Sequence, residues 1–254
     1  MVNTYYMNRF AAVVLLFSVL VLILSSCSSI YMPNVPATPM FSKQGEGYLS
    51  GHVNLKGNVS GNAGVAISDH IGIIANGSYV NHRKQIKEFK QYLYEGGLGY
   101  FTTIGKSKRQ IFEVYAGYGM GNSIETDLRS TTTGMQPVEI RDMDFEKIFV
   151  QVNYSSTKKD KINLFGAKRE LNYGTAIRMS RVAMKDFTVD EVDAEKEDNI
   201  FIEPVFFTRL ALNRNWQLQY TTGFNIGVNS NEYLKAGNAV FTLGVSYNFG
   251  KKKK

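Results

Sequence analysis

The sequence predicts an all-β chain, an antiparallel up-and-down transmembrane β-barrel of about ten strands. Two alternating segments near the carboxy terminus and an export signal at the amino terminus carry that expectation. Trp216, Leu218, Tyr220, Thr222, Phe224, Ile226 and Val228 alternate with Gln217, Gln219, Thr221, Gly223, Asn225, Gly227 and Asn229. Further on, Ala239, Phe241, Leu243, Val245, Tyr247 and Phe249 alternate with Val240, Thr242, Gly244, Ser246, Asn248 and Gly250. A strand turns successive side chains to opposite faces, so each segment has one apolar face and one polar or small face. In a soluble sandwich the apolar face would be core; in an outer-membrane barrel it meets lipid and the other face lines the lumen. The amino terminus decides between these two.

Residues 1–26 carry Arg9 and then an apolar run from Phe10 to Leu24 in which Ser18 is the one polar residue. That run has the length of a secretory h-region and falls short of the roughly 20 residues a spanning helix needs. Leu24-Ser25-Ser26-Cys27 resembles a bacterial lipobox. The resemblance implies a lipoprotein signal peptide over 1–26, cleavage before Cys27, and lipid on its thiol and new amino group. Cys27 is the one cysteine of the chain, which excludes disulfide, zinc and redox frameworks. Residues 27–44 hold Pro33, Pro36 and Pro39 among small residues and read as an extended tether. Residues 45–250 form the barrel, and 251–254 are a basic tail of four lysines.

Ten strand candidates fill the barrel region, at 46–56, 62–69, 71–81, 90–103, 109–121, 143–155, 170–183, 200–212, 215–228 and 239–249. Most approach or exceed the 9–11 residues that a tilted strand uses to cross a bilayer. An even count suits a single-chain bacterial barrel, and eight or twelve strands stay open as alternatives. With both barrel ends in the periplasm, the odd connections face outward and should be longer. The fifth, about 122–142, and the seventh, about 184–199, fit that rule; the sixth, 156–169, breaks it.

The lipobox, the Pro-punctuated stretch, Gly64-Val-Ala-Ile-Ser-Asp-His-Ile-Gly72 and the closing Gly244-Val-Ser-Tyr-Asn-Phe249 together resemble small outer-membrane barrel proteins of Bacteroidota type, in the OmpA/OmpW-like superfamily. The resemblance implies the barrel fold, a bacterial outer-membrane location, and handling of the aromatic-ended last strand by the barrel-insertion machinery. Ser28-Ser29-Ile30 lacks the acidic stretch of surface-exported lipoproteins in that group, which implies an anchor on the periplasmic side.

Strand parity assigns the two faces. Val53, Leu55, Val65, Ile67, Ile73, Tyr79, Tyr94, Leu98, Tyr118, Ile148, Val150, Tyr154, Ile177 and Phe206 are among the expected lipid-facing positions. Arginine at Val245 is therefore expected to be costly, and at Ser246, on the other face, to be tolerated. The inward parity holds His52, Glu95, Glu113, Lys147, Arg178, Glu203 and Arg209, with Phe101, Phe149, Phe201 and Phe207. Buried charges must be paired, so Glu95, Glu113, Lys147, Arg178, Glu203 and Arg209 are the candidate lumen ion network. The aromatics help to plug a narrow interior, and an open diffusion pore is not expected.

The formal net charge of +7 raises nucleic acid as a partner, but export and the absence of any such motif argue against it. His52, His70 and His82 are too scattered to share a catalytic site, and no catalytic residue, metal site or cofactor is expected. The acidic loop Asp186 to Asp198 could attract calcium but lacks the glycine turn and spacing of an EF-hand, and reads as a solvated outer loop. The expected function is a non-enzymatic outer-membrane lipoprotein with a structural or surface-binding role. Outer-membrane lipids are its expected partners, and no extracellular ligand is named. The alternatives are a narrow transporter of a small hydrophobic solute and a lipid-modifying enzyme.

Overall fold

The computed structural model describes residues 29–250, except 55, 56, 133, 165, 166 and 238. Cys27 with its lipobox, Leu55 and the lysine tail therefore lie outside the described residues.

Every described element is a strand. In chain order they are β1 (Gly47–Val53), β2 (Asn58–Ala66), β3 (Ile71–Lys84), β4 (Lys87–Ile104), β5 (Gln110–Thr131), β6 (Gly134–Leu164), β7 (Ala167–Val189), β8 (Val192–Asp193), β9 (Asp198–Ala211), β10 (Trp216–Gly223), β11 (Ile226–Gly227) and β12 (Val240–Phe249). Neighbours pair antiparallel along the chain, and β7 joins β9 from Leu171↔Leu210 to Ala183↔Asp198. β1 closes the ring on β12, from Gly47↔Phe249 to Val53↔Leu243. β8 is a short return beside β7, and β11 continues β10 in one register on β9, as Thr222↔Phe206 and Ile226↔Ile202 show. The result is a closed barrel of ten staves.

The alternation written in the sequence is the inside–outside pattern of this wall. Trp216, Leu218, Tyr220, Phe241, Leu243 and Val245 are exposed on the outer face, whereas Gln219, Thr221, Thr242 and Ser246 are buried inside. An apolar outer belt around a polar interior is the organisation of a transmembrane barrel. The apolar belt is shorter than the strands. Lys90, Asp144, Glu146 and Arg181 share the outward parity, and they bound the belt on one side.

That side is where the strands are extended by hairpins. The fifth connection, expected as a loop over 122–142, is instead a ladder that runs from Asn122↔Asp144 out to Thr131↔Gly134. Backbone groups left unpaired in a long loop need water, whereas a ladder satisfies them internally, and alternating residues such as Ile124, Met135 and Ile140 support the strand. β7 likewise continues to Val189 and turns through Asp190 and Glu191, both at positive φ, the backbone of a two-residue type I′ hairpin. The Asp190 carboxylate accepts from the Ile140 N–H, which ties this hairpin to β6.

The sixth connection also proves to be a hairpin. β6 runs to Leu164 and β7 starts at Ala167, so the apparent exception at 156–169 is two strand extensions that pair with each other as far as Leu164↔Ala167. The connections at this opposite end, 67–70, 105–109 and 212–215, are short. We call the two ends the hairpin end and the turn end; β1 begins and β12 finishes at the turn end.

Residues 29–41 depart furthest from the expected tether. They have no regular secondary structure, yet all of them are buried, because they run through the barrel lumen. Ile30 packs with Leu93, Phe145, Val182, Phe187 and Leu234 near the hairpin end, and Phe41 with Ala66, Ile74, Phe101 and Phe149 towards the turn end.

Candidate functional site

The lumen is the candidate site, and the segment 29–41 is its content. An irregular segment inside a barrel brings unpaired backbone groups with it, and each must find a partner. Pro33, Pro36 and Pro39 lower that demand, since proline has no N–H to satisfy and holds φ near its extended value. Wall side chains take up the remaining groups.

Gln91, on β4, binds Met32 at two points. Its Oε1 accepts from the Met32 N–H at 2.8 Å, and its Nε2 donates to the Met32 carbonyl at 2.7 Å. Gln151, on β6, donates to the Ala37 carbonyl at 2.7 Å, and Asn153 donates to the same oxygen at 3.2 Å. Arg209, on β9, donates through Nη2 to the carbonyl and the hydroxyl of Thr38, each at 2.6 Å. Glu113, on β5, accepts the Met40 N–H at 3.3 Å and the Phe41 N–H at 3.1 Å. The wall thus acts as a discontinuous partner strand for the segment.

The six residues expected to form one ion network divide into two groups. Glu95, Lys147, Arg178 and Glu203 do form it. Arg178 Nη1 lies 2.9 Å from a Glu95 oxygen, and Lys147 Nζ lies 3.0 Å from Glu95 and 3.2 Å from Glu203. Arg178 also donates to Gln151 and stacks over the Phe149 ring at 4.5 Å. Tyr31 brings the segment into this network, with its hydroxyl 2.8 Å from Lys147 Nζ and 3.1 Å from Glu203.

Glu113 and Arg209 serve the segment's backbone instead. Besides its two backbone donors, Glu113 accepts from the Tyr115 hydroxyl and from Asn153. Arg209 lies between the Tyr48 and Phe207 rings, 4.9 Å from each centroid, and donates through Nε to Gln219. Strand parity locates all six on the inner face. The sequence did not single out Gln91, Gln151 and Asn153, although their inward parity beside a donor-poor, proline-spaced segment was the available signal.

Phe41 fixes the depth of the segment. A Cβ at Gly72 would stand 3.0 Å from its ring, and one at Gly64 3.2 Å, so the two glycines leave the space that the ring needs.

At the hairpin end Ile30 borders a polar vestibule of about 290 Å³ with Lys87, Glu125, Asp127, Arg141 and Tyr233. Arg141 pairs with Glu125, Asp127 and Glu139. Partial burial works against its charge, but the hydrogen bond it donates to Glu139 and the neighbouring carboxylates outweigh this and raise its pKa above the ordinary guanidinium value. The loop after β11 folds over the mouth, where the Glu197 carboxylate accepts the N–H groups of Glu232, Tyr233 and Leu234. His52 is buried in the wall, His70 lies in the turn after β2 and His82 near the end of β3, so the three do not form a common site.

No protein-family model and no curated protein matches the chain. Among solved structures it is similar to the translocator domain of the autotransporter NalP from Neisseria meningitidis, at 11% identity and a TM-score of 0.43, over 80% of this chain and 86% of that one. It is also similar to the siderophore receptor PirA from Pseudomonas aeruginosa, at 10% identity and a TM-score of 0.21, over 81% of this chain and 40% of the receptor. A third is a loop-deletion mutant of OmpT, an outer-membrane protein of Vibrio cholerae, at 8% identity and a TM-score of 0.22, over 80% of this chain and 98% of that one.

Proposed function

We propose that the protein is a non-enzymatic lipoprotein of the bacterial outer membrane, of the Bacteroidota-type barrel group, whose closed barrel serves a structural or surface-binding role. The observation that carries this reading is the occupied lumen: residues 29–41 fill the barrel axis and are hydrogen-bonded to its wall. A lumen held in this way is not a diffusion path. The extensions of β5, β6 and β7 at the hairpin end provide the surface that a partner outside the membrane would meet. Lipid at Cys27 anchors the chain, and the apolar belt is wetted by outer-membrane lipid.

A narrow transporter of a small hydrophobic solute is the second reading. It rests on an apolar depression of about 500 Å³ in the wall, lined by Val53, Tyr220, Phe241 and Leu243, near the point where β10 parts from β12. Protein-dependent uptake of a small hydrophobic solute by proteoliposomes, measured against protein-free vesicles, separates the two. No uptake above that of protein-free vesicles is expected, and protein-dependent entry would replace the structural reading with transport. In growing cells, wild type should incorporate a fatty-acid analogue and Cys27→Ala should not, while both keep the heat-modifiable migration of a folded barrel.

A further inference from the structure

We infer that the chain is threaded through its own barrel, so that the amino-terminal end of the mature protein lies on the outer side of the membrane, opposite the start of β1 and the end of β12. The inference rests on the outer-membrane reading above for which side is outside, and on the described residues for the threading itself.

The segment can be followed contact by contact. Ile30 borders the charged vestibule at the hairpin end, beside Arg141 and Tyr233. Tyr31 reaches the Lys147–Glu203 pair, Ala37 meets Gln151, and Phe41 meets Glu113. The Gln44 N–H then donates to Asp69 at 3.0 Å in the turn after β2, and the Gly45 N–H donates to Ala66. The chain has therefore crossed the barrel from the hairpin end to the turn end before the first stave begins. Ten staves return the chain to the side on which they began, and this additional passage through the lumen makes the number of crossings odd. The two ends of the mature chain must then lie on opposite sides.

Short turns mark the periplasmic end of such barrels and longer connections the outer end. Cys27 stands two residues before Ser29, and two extended residues span at most about 7 Å. With the chain threaded in this way, an acyl group on Cys27 would belong to the outer leaflet. This replaces the periplasmic anchor that the residues after Cys27 implied. A lipid at one end of the segment and the barrel's first stave at the other would hold the plug from both sides.

Labelling of intact cells with a membrane-impermeant amine reagent tests the threading. Ser28→Lys places an amine at the amino-terminal end. Lys185 and Lys196 report the hairpin end and Lys43 the turn end. Position 28 should be labelled in intact cells together with Lys185 and Lys196, with no gain on permeabilisation, whereas Lys43 should be labelled only after permeabilisation. Position 28 behaving like Lys43 would overturn the inference. Ser28→Cys with an impermeant maleimide gives the same readout from a nearly isosteric side chain, and heat-modifiable migration verifies assembly of both variants. A fatty-acid analogue supplied to the same cells separates the two readings. Acyl label with position 28 protected overturns the threading alone; position 28 labelled from outside without acyl label supports the threading and removes the lipoprotein.

Discussion

At the scale of single residues, the lumen side chains act chiefly on the backbone that runs between them. Glu113 accepts two N–H groups of the segment, so Glu113→Ala would leave both buried without that acceptor. Each such loss costs about 1–3 kcal/mol. Hydrogen exchange should accelerate at Met40 and Phe41 in this variant while the wall strands keep their protection; unchanged exchange at those two amides would contradict the role. On the outer face, Val245→Arg should impair assembly, because a cation at the midplane costs roughly 2–4 kcal/mol. Loss of the heat-modifiable band, with Val245→Leu retaining it, is the expected result. Ser246→Arg is no longer expected to be harmless. Ser246 is fully buried, and the Glu113 and Glu203 carboxylates that might have received the new charge are already engaged.

Between residues and the whole barrel, the strands were legible because a period of two was visible in them. The outward residues of β10 and β12 could be read directly, and so could the inward set from His52 to Arg209. Two features were not. The extensions of β5 and β6 carry polar and charged residues on both faces, because outside the membrane neither face must be apolar. Alternation therefore fades where the ladder continues. The proline spacing of residues 33–39 was visible, but proline-rich chain serves equally as a solvated linker and as a donor-poor filler. Only the wall contacts distinguish them. Residues 129–132 and 134–138 of the β5–β6 hairpin are exposed throughout. Excising 129–136 and joining Leu128 to Pro137 through Asn-Gly should leave barrel assembly and the heat-modifiable shift unchanged. Failure to assemble would mean that the hairpin belongs to the barrel's folding core rather than to its outer surface.

For the molecule as a whole, the ring closes through β1 and β12 while its interior is completed by the chain ahead of β1. A ten-stranded wall has only slightly more room than an eight-stranded one, which side chains alone can fill. Here the aromatics Phe101, Phe149, Phe201 and Phe207 and the segment 29–41 share that task. The ion pairs of Glu95, Arg178, Lys147 and Glu203 stand beside the segment and contact it through Tyr31. Stapling the wall and seating the plug are therefore one function of the same charges.

Planar-bilayer recording tests this account most directly, with the wild type compared against a chain lacking residues 30–41 that still shows the heat-modifiable shift. The wild type should be silent, and removal of the segment should produce discrete conductance steps. Steady conductance from the wild type, or silence from an assembled barrel without the segment, would contradict a lumen closed by its own amino-terminal chain.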